Sequence, residues 1–580
     1  MIKNCQQISG YLRTPALIDL NGRALFAVGI ASFAMNILLF AIPLYTLQVY
    51  DRVLTSRSGE TLLYLTLLVL FALTASAVLD AIRNRLFLRI GNAYSLKLGA
   101  RLIDLSIAQS ARTSDPSSHV MRDMHTIRNF VTAPQGLGVL YDTPLVPLFL
   151  VTVYLMHTGL GHAMLLGVIL LIALTLVTEL LTGKAMRAAS EASIEAQRRI
   201  DGVIQNAEAV EAMGMRAAMR NYWQSAQGQS LAEASLAGDR ATIAGSVARW
   251  VRMLLSLMMT GAGAWFAIHD EITIGTMVAA NILSARGLAP LEIMISAWRS
   301  TQNVRVSVDR INTAIAKYLR PEGATQLPEP RGEIAAENLV YVPPGAEQPT
   351  IKGIGFRLPA GSWLGLVGPS GAGKSSLVKL ICGVWQPRSG VVRLDGADVF
   401  TWPRADFGRH CGYLPQDVEL FAGTVRDNIA RFLPPEEVSD SVVVEAAKIA
   451  GVHDLILRLP KGYDTLLGAG GASLSVGQRQ RIGLARAFLG MPRLIVLDEP
   501  NSNLDTEGEQ ALVEAVRCAR KAGSTIIMIC HRPSLLADAN FIGVLVDGQM
   551  QHFGPRDEVL RRIQPKPLHA IVTEGVHGNA

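Results

Sequence analysis

Cysteine is scarce in this sequence, which has five cysteines among 580 residues. They are odd in number and widely scattered, and no two of them form a C-x-x-C pair. Disulfide frameworks and zinc sites both need several closely spaced cysteines, so neither is expected here. We therefore predict reduced thiols at Cys5, Cys382, Cys411, Cys518 and Cys530.

Charged residues are also scarce, at 18% of the chain against roughly 25% in ordinary soluble domains. A disordered protein would combine high charge with few apolar residues, so that class is excluded. The deficit lies in the first half, because the second half has the composition of a soluble α/β protein. The net charge of +6 is distributed in a way that indicates membrane topology, so we expect no nucleic-acid partner.

The first half contains six long apolar runs. The first has 27 uncharged residues and would span about 40 Å as a helix, more than the roughly 30 Å of a bilayer core. It is too long and starts too far into the chain for a signal peptide. We predict a six-helix transmembrane domain at 24–325 after a short N-terminal segment at 1–23. The runs are residues 24–50, 61–79, 143–156 (extended backward through 137–141), 161–178, 253–268 and 272–296.

Lysine and arginine are concentrated in the two long loops, after the second and fourth runs, while the opposite loops are very short. The positive-inside rule then places the N-terminus and both long loops in the cytoplasm. These loops are rich in helix formers with few breakers, so we expect them to continue the spans as helices.

Three charged residues fall close to or inside the predicted spans: Asp142, Arg286 and Glu292. Each costs roughly 2.5–3.5 kcal/mol at a bilayer centre and should face protein or water. For Asp142 and Arg286, a polar translocation path and an ordinary structural role (snorkelling or pairing between helices) remain equally open. Arg249 and Arg252 are interpreted as snorkelling anchors.

A breaker-rich segment at residues 321–332 separates the two halves, and we place the domain boundary near residue 325. The second domain is then 326–564, followed by a tail at 565–580 for which the sequence offers no account.

The second domain contains a phosphate-binding loop. The apolar strand 363–367 runs into G-x-x-x-x-G-K-S, and a helical pattern follows at 376–384. Such a loop wraps backbone N–H groups around phosphate oxygens, and its lysine and serine serve the β/γ-phosphates and Mg²⁺. We predict ATP and Mg²⁺ as cofactors. The predicted contacts are Gly368, Pro369, Ser370, Gly371, Ala372, Gly373, Lys374, Ser375 and Ser376, with Ser375 also a metal ligand.

Two acids end a second apolar strand at 494–498. A buried strand that ends in Asp498 and Glu499 is costly unless a cation or water uses the charge. Asp498 is the predicted Mg²⁺ ligand and Glu499 the residue that polarises the attacking water. A third strand at 525–530 delivers His531, for which we predict a phosphate-sensing role.

The motif Leu474-Ser-Val-Gly-Gln478 identifies the resemblance. Together with the P-loop, Gln416, Asp498–Glu499, residues 501–505 and His531, in this order, it resembles the ATP-binding cassette (ABC) family. The resemblance implies an α-helical six-span domain fused to an α/β P-loop NTPase, with ATP held between two cassettes. It also implies that Gln416 contacts Mg²⁺, that Ser475, Gly477 and Gln478 bind nucleotide across a dimer, and that Asp505 lines the interface.

The sequence departs from the family pattern in three places. Val476 replaces a usual glycine, and a β-branched residue disfavours positive φ, so the expected cradle geometry is in question there. Ala469 replaces an acid often found before the signature. Pro343 falls where an adenine-stacking aromatic is usual, and Tyr341 is the substitute that we predict.

The closer resemblance is to ATPase-permeases of bacterial type I protein secretion, through the stretches at 141–149, 342–345, 391–398 and 412–424. It implies a homodimeric half-transporter in the inner membrane that exports an unfolded protein with a C-terminal signal. It also implies a periplasmic adaptor (membrane fusion) protein and an outer-membrane channel as partners. The short N-terminus leaves no room for a peptidase-like domain, so no leader cleavage is expected. The alternative is an ABC exporter of lipids, peptides or drug-like molecules.

Overall fold

The computed structural model describes residues 22–113, 119–133, 135–318, 327–530 and 532–563. The described chain divides into two compact units, one made mainly of the helices up to Tyr318 and one made of the residues from Leu327 onward. Most of the predicted N-terminal segment, the predicted boundary near residue 325 and the tail lie outside the described residues. The domain limits therefore stay predictions.

The first unit is built from helices. Among the described residues, six helical segments are long and apolar enough to cross a membrane, as the six apolar runs predicted. The helices are α1 (Gly22–Leu38), α2 (Ala41–Gln48), α3 (Leu54–Ser56), α4 (Gly59–Thr113), α5 (His119–Thr132), α6 (Leu137–Asp142), α7 (Val146–Met156), α8 (Thr158–Gln205), α9 (Ala207–Ala212), α10 (Arg216–Ile268), α11 (Ile274–Ser296) and α12 (Trp298–Tyr318).

Three of these helices are much longer than a membrane is thick. α4 has 55 residues, α8 has 48 and α10 has 53. At 1.5 Å per residue they extend about 70–80 Å, more than twice the hydrocarbon core. The long loops of the sequence are therefore helical continuations of the spans, as their composition predicted.

A buried polar cluster joins α1, α4 and α6 and accounts for Asp142. The Arg83 guanidinium donates to both carboxylate oxygens of Asp142 at 3.2 Å and to Asp80 at 2.8 Å. Asn36 donates to Asp142 at 3.0 Å, and the Ser32 hydroxyl accepts from Arg83 at 3.3 Å. Arg83, Ser32 and Asn36 are all less than a tenth exposed. Of the two roles left open for Asp142, the structure supports pairing between helices.

A second ion pair connects α10 to α11. A guanidinium nitrogen of Arg252 lies 2.5 Å from a carboxylate oxygen of Glu292. The interpretation of Arg252 as a snorkelling anchor stays a prediction, to which the structure adds a partner for its charge. A charge 40 positions away in sequence neutralises it inside the protein, because the two helices pack side by side.

The second unit is an α/β fold around a six-stranded sheet of order β12-β11-β3-β10-β9-β6, in which only β12 runs antiparallel to its neighbour. A four-stranded antiparallel sheet, β2-β1-β4-β5, and a short β7-β8 pair complete it. The strands are β1 (Ile334–Tyr341), β2 (Ile351–Leu358), β3 (Trp363–Val367), β4 (Ser389–Leu394), β5 (Ala397–Asp398), β6 (Cys411–Leu414), β7 (Gly423–Thr424), β8 (Leu466–Leu467), β9 (Leu494–Asp498), β10 (Thr525–Ile529), β11 (Phe541–Val546) and β12 (Gln549–Pro555).

The helices of this unit connect those strands, except the last, which follows β12. They are α13 (Lys374–Ile381), α14 (Arg404–His410), α15 (Val425–Ile429), α16 (Asp440–Ile449), α17 (His453–Leu457), α18 (Val476–Phe488), α19 (Thr506–Lys521) and α20 (Arg556–Ile563).

The central strands β9 and β10 are buried along their whole length, as parallel strands covered on both faces must be. Because β3, β9, β10 and β6 are parallel, their carboxyl ends meet at one edge of the sheet. Ligands of such sheets bind in the crevice beyond the carboxyl ends. The fold thus brings the predicted loops after Val367, Leu414 and Asp498 to one edge.

The described cysteines are free thiols, in accord with the prediction. They are Cys382, Cys411, Cys518 and Cys530. Burial raises the pKa of Cys530 to about 12, so that thiol stays protonated and unreactive at neutral pH.

Candidate nucleotide-binding and catalytic site

The P-loop begins where β3 ends and passes directly into α13. Gly368 lies so close to the Leu545 carbonyl that an added Cβ would be 2.1 Å from its oxygen. Gly373, with φ +96°, turns the chain into the helix. Both positions therefore need glycine, for close approach and for left-handed backbone respectively.

The other predicted loop residues take distinct places. Pro369, Ser370 and Gly371 are exposed, Ala372 is buried, and Ser376 lies in the first turn of α13. The exposed backbone leads to the N-terminus of the helix, an arrangement that suits a bound phosphate.

We expect Gly368→Ala to weaken nucleotide binding at least about tenfold, because relieving the contact with Leu545 must displace the loop backbone. Titration of a fluorescent ATP analogue measures this. Gly408→Ala is the matched control, since a Cβ there meets nothing within 4 Å and glycine inside a helix gains from alanine. Equal affinity of the two variants would contradict the assignment of the loop.

Lys374 is held over the loop. Its ammonium donates to the carbonyls of Gly368 at 2.8 Å and Pro369 at 2.9 Å, and only 6% of the residue is exposed. Burial lowers the pKa of Lys374, while the nearby Glu499 and Asp498 oppose that change. Because these hydrogen bonds already hold the Lys374 side chain in one conformation, binding of phosphate oxygens costs little further side-chain entropy.

Ser375 and Asp498, both predicted metal ligands, are neighbours. The Ser375 hydroxyl donates to Asp498 Oδ1 at 3.3 Å. Asp498 is 2% exposed, and burial raises the pKa of its carboxyl, an effect that the Ser375 hydrogen bond partly offsets. A buried carboxylate beside a hydroxyl is a hard oxygen donor set, so these residues fit a Mg²⁺ ion.

Glu499 lies one residue past β9, in a strained backbone conformation. Its φ is +49°, unusual for a residue with a side chain, and its N–H donates to the Ile529 carbonyl at 3.2 Å. Gln416, which follows the adjacent strand β6, donates to Glu499 Oε2 at 3.3 Å. The structure thus brings the predicted water-polarising acid together with the predicted Gln416. Strained backbone of this kind is concentrated at functional sites.

The signature motif forms the start of α18. Ser475 is the N-cap, and its hydroxyl accepts from the Gln478 N–H while the Gln478 side chain accepts from the Ser475 N–H. This reciprocal capping box fixes the helix start. Gly477 approaches the Asn503 carbonyl so closely that a Cβ would lie 2.8 Å from its oxygen.

Val476 does not strain the signature. It is the first residue of α18, its φ is not positive, and half of the residue is exposed. A β-branched residue is compatible with this conformation. The expectation that valine would disturb the cradle by disfavouring positive φ therefore does not apply to this geometry.

Gln480 is a site residue that the sequence motifs do not indicate. It is 2% exposed, and its side-chain amide donates to the Pro500 carbonyl at 2.6 Å, which ties α18 to the backbone next to Glu499. A polar glutamine on the buried face of a predicted helix was the sequence feature that could have indicated this residue. Its partner, the Pro500 carbonyl, is brought near only by the packing of the fold.

Asp505 begins α19. Its side chain accepts from the Gly508 N–H at 2.8 Å and from Arg481. The hydrogen bond from Gly508, followed by Arg481, lowers the pKa of Asp505. The predicted interface role of Asp505 stays a prediction.

Tyr341 is buried, and its ring stacks on Trp385 with centroids 4.7 Å apart. One of its ring faces is therefore already covered, and the adenine contact stays a prediction. His531 lies outside the described residues.

Comparison with known proteins gives the family of the chain. Residues 351–502 match the ABC transporter family, and residues 25–289 match the ABC transporter transmembrane region. The type I secretion system ATP-binding protein PrsD of Rhizobium meliloti is 39% identical over 542 residues, which cover 93% of both chains. The cyclolysin secretion/processing ATP-binding protein CyaB of Bordetella pertussis is 30% identical over 94% of this chain and 77% of its own.

A solved structure has the same fold. A bacterial Atm1-family ABC exporter with ATP bound superposes with a TM-score of 0.80 at 24% identity, over 93% of this chain and 96% of that one. Six candidate spans and an ATPase domain with an assembled P-loop accompany these matches. The chain therefore belongs to the ATP-binding cassette exporters, within the type I secretion ATP-binding protein family, and couples ATP hydrolysis to transport.

Proposed function

We propose that this chain is the ATPase-permease of a type I secretion system, which exports an unfolded polypeptide with a C-terminal signal. The supporting observation is the 39% identity to PrsD across 93% of both chains. The partners in this proposal are a periplasmic adaptor protein and an outer-membrane channel. The protein lies in the bacterial inner membrane, with its N-terminus and ATPase unit in the cytoplasm.

Two copies of the chain form the working transporter in this proposal. The N-terminus of α18 presents Ser475 and Val476 at the surface of the protomer, with Gly477 and Gln478 half-buried beside them. A helix N-terminus with exposed N–H groups binds anions, so it suits the γ-phosphate of a nucleotide held by the P-loop of a second copy. P-loop, signature and Glu499 all occur in one chain, so a homodimer has two complete sites.

The residues of the site divide the work of hydrolysis. Lys374 and the P-loop amides hold the phosphates of the substrate ATP. Ser375, Asp498 and Gln416 would hold Mg²⁺, which when bound supplies positive charge to the phosphate oxygens. Glu499 orients the attacking water and accepts its proton, while Gln416 and Gln480 fix the side chain and backbone at Glu499. Because nucleotide binds better to the closed pair of cassettes, its binding and hydrolysis drive the cycle.

An exporter of lipids, peptides or drug-like molecules remains the second candidate. Its spans and cassette would have the same architecture, and the likeness to the Atm1-family exporter concerns the fold alone. The identity to PrsD favours protein export.

We expect deletion of the gene to trap one or a few polypeptides inside the cell, because their route out is lost. Quantitative proteomics of medium and cell extract measures this. Complementation with the wild-type chain should restore secretion, whereas complementation with Glu499→Gln should not. An unchanged secreted proteome, together with altered lipid composition or drug sensitivity, would refute protein export in favour of the second candidate.

A further inference from the structure

Arg286 is a charged residue in the middle of the sixth membrane span. It lies twelve residues after the start of α11 and ten before its end, which is about 18 Å and 15 Å along the axis. Both distances exceed the length of an extended arginine side chain. Snorkelling to either membrane surface therefore does not account for Arg286.

The other charges singled out in the spans are paired, but Arg286 is not. Asp142 pairs with Arg83, and Glu292 pairs with Arg252. Arg286 is exposed on the protomer and makes no ion pair with any residue that the structure describes. Charges at membrane depth face a protein interior or water. A partner for Arg286 must therefore come from water or from a group other than the described residues of the protomer.

The exposed side of α11 is poorly suited to lipid. α4 exposes large apolar side chains at nearly every turn of its span, including Leu67, Leu68 and Phe71. Among its described side chains, α11 exposes only Ile274 and Ile293 as large apolar residues. Its span is also the least apolar of the six and the most buried within the protomer. This face of α11 is thus more suitable for water than for acyl chains.

The same face leads to a pocket of mixed polar and apolar lining at the end of α11. Arg286, Ile293 and Ala297 are seven and eleven positions apart, spacings that repeat on one side of a helix. Ala297 lines a pocket of about 530 Å³ with the neutral hydrogen-bonding residues Thr126, Asn129, Gln135, Ser300 and Asn303. Amide and hydroxyl groups can pair with the N–H and C=O groups of an extended peptide.

We infer that Arg286 lines a water-filled path through the membrane and contacts the polypeptide in transit, with the pocket beside Ala297 at the entrance of that path. The inference rests on the proposed function. The guanidinium donates up to five hydrogen bonds in a fixed fork that fits carboxylates, so the favoured cargo is an unfolded polypeptide with acidic segments. Arg286 is in this view a specificity-determining residue.

The water-filled path can be tested without any cargo. Arg286→Cys, reconstituted in liposomes, is treated with a membrane-impermeant thiol reagent, and mass spectrometry resolves the labelled position from the five native cysteines. The control is Phe71→Cys, which is 76% exposed. Phe71 is also matched in depth, because both residues are twelve positions after the start of their helices. Asp51, which precedes α4, hydrogen-bonds Thr273 and Gly275 at the start of α11, so both helices start on the same side.

We expect position 286 to be labelled at least about tenfold faster than position 71, because a thiol in lipid is shielded from a charged reagent. Equal, slow labelling would overturn the inference. It would mean that Arg286 is covered by lipid or by a dry contact with a second copy.

The cargo contact is tested with the polypeptide that accumulates in the deletion strain. We expect export per ATP hydrolysed to fall only moderately in Arg286→Lys, which keeps the charge but loses the planar fork. It should fall roughly tenfold or more in Arg286→Gln, and further in Arg286→Glu. Phe71→Leu should leave export unchanged. Full export by Arg286→Glu would overturn the inference.

These results separate the inference from the proposed function. Secretion that is unaffected by gene deletion contradicts protein export but leaves the labelling test valid. Labelling that fails in a strain whose secretion depends on the gene contradicts only the role of Arg286.

Discussion

ATP turnover of Glu499→Gln is expected to fall by about 10²–10⁴-fold, the usual contribution of a positioned general base. The amide is nearly the same size as the carboxylate and still offers an oxygen to the Gln416 donor, so the contact at 3.3 Å can persist. What the amide cannot do is accept a proton from the attacking water. Nucleotide affinity should therefore remain close to that of the wild-type protein, because Lys374 and the P-loop are untouched.

The two effects are measured on one reconstituted sample, with phosphate release for turnover and a fluorescent ATP analogue for binding. Glu436→Gln is the control, since it removes the same charge from an exposed loop outside the site and should keep wild-type turnover. Rapid hydrolysis by Glu499→Gln would rule out Glu499 as the base. Loss of binding would mean that the substitution disturbs the loop instead.

Arg83→Leu is expected to destabilise the membrane unit by about 3–5 kcal/mol, because it leaves Asp142 largely buried without its counter-ion. The Asp80 and Ser32 contacts are lost at the same time. Thermal unfolding in detergent, followed by size-exclusion chromatography, would record a large fall in melting temperature or loss of the folded protein.

The double variant Arg83→Leu/Asp142→Leu tests the cause of that loss. The double variant no longer contains the uncompensated carboxylate. It should therefore be more stable than Arg83→Leu alone. Arg85→Leu, at an exposed position two residues away, should change stability by no more than about 0.5 kcal/mol. If Arg83→Leu and Arg85→Leu were equally stable, the cluster would have no structural importance.

Features that depend on neighbouring residues in the sequence, such as membrane spans, could be predicted. Contacts between residues that are far apart in the sequence could not. Six apolar runs predict six spans because each span must be apolar along its own length. The pairing of Arg83 with Asp142, 59 positions apart, depends on which helices pack together. The same limit explains why the pairing of Arg252 with Glu292 and the role of Gln480 were not predicted.

The predicted boundaries of the helix after the P-loop differ from the observed ones, and two neighbouring glycines explain the difference. The helix after the P-loop was predicted at 376–384, but α13 runs from Lys374 to Ile381. Gly383 adopts φ +64° just beyond its end, which stops the helix three residues early. At the other end, Gly373 lets the helix begin at the P-loop lysine. Both glycines were visible in the sequence, but their conformations were not.

Turnover in lipid nanodiscs that hold either one or two copies of the chain tests the central claim most directly, namely that ATP is hydrolysed between two copies. With saturating Mg-ATP, we predict hydrolysis in two-copy discs and almost none in one-copy discs, since in the proposed homodimer each site takes Glu499 from one protomer and Ser475 from the other. Equal turnover per chain in both kinds of disc would contradict the account.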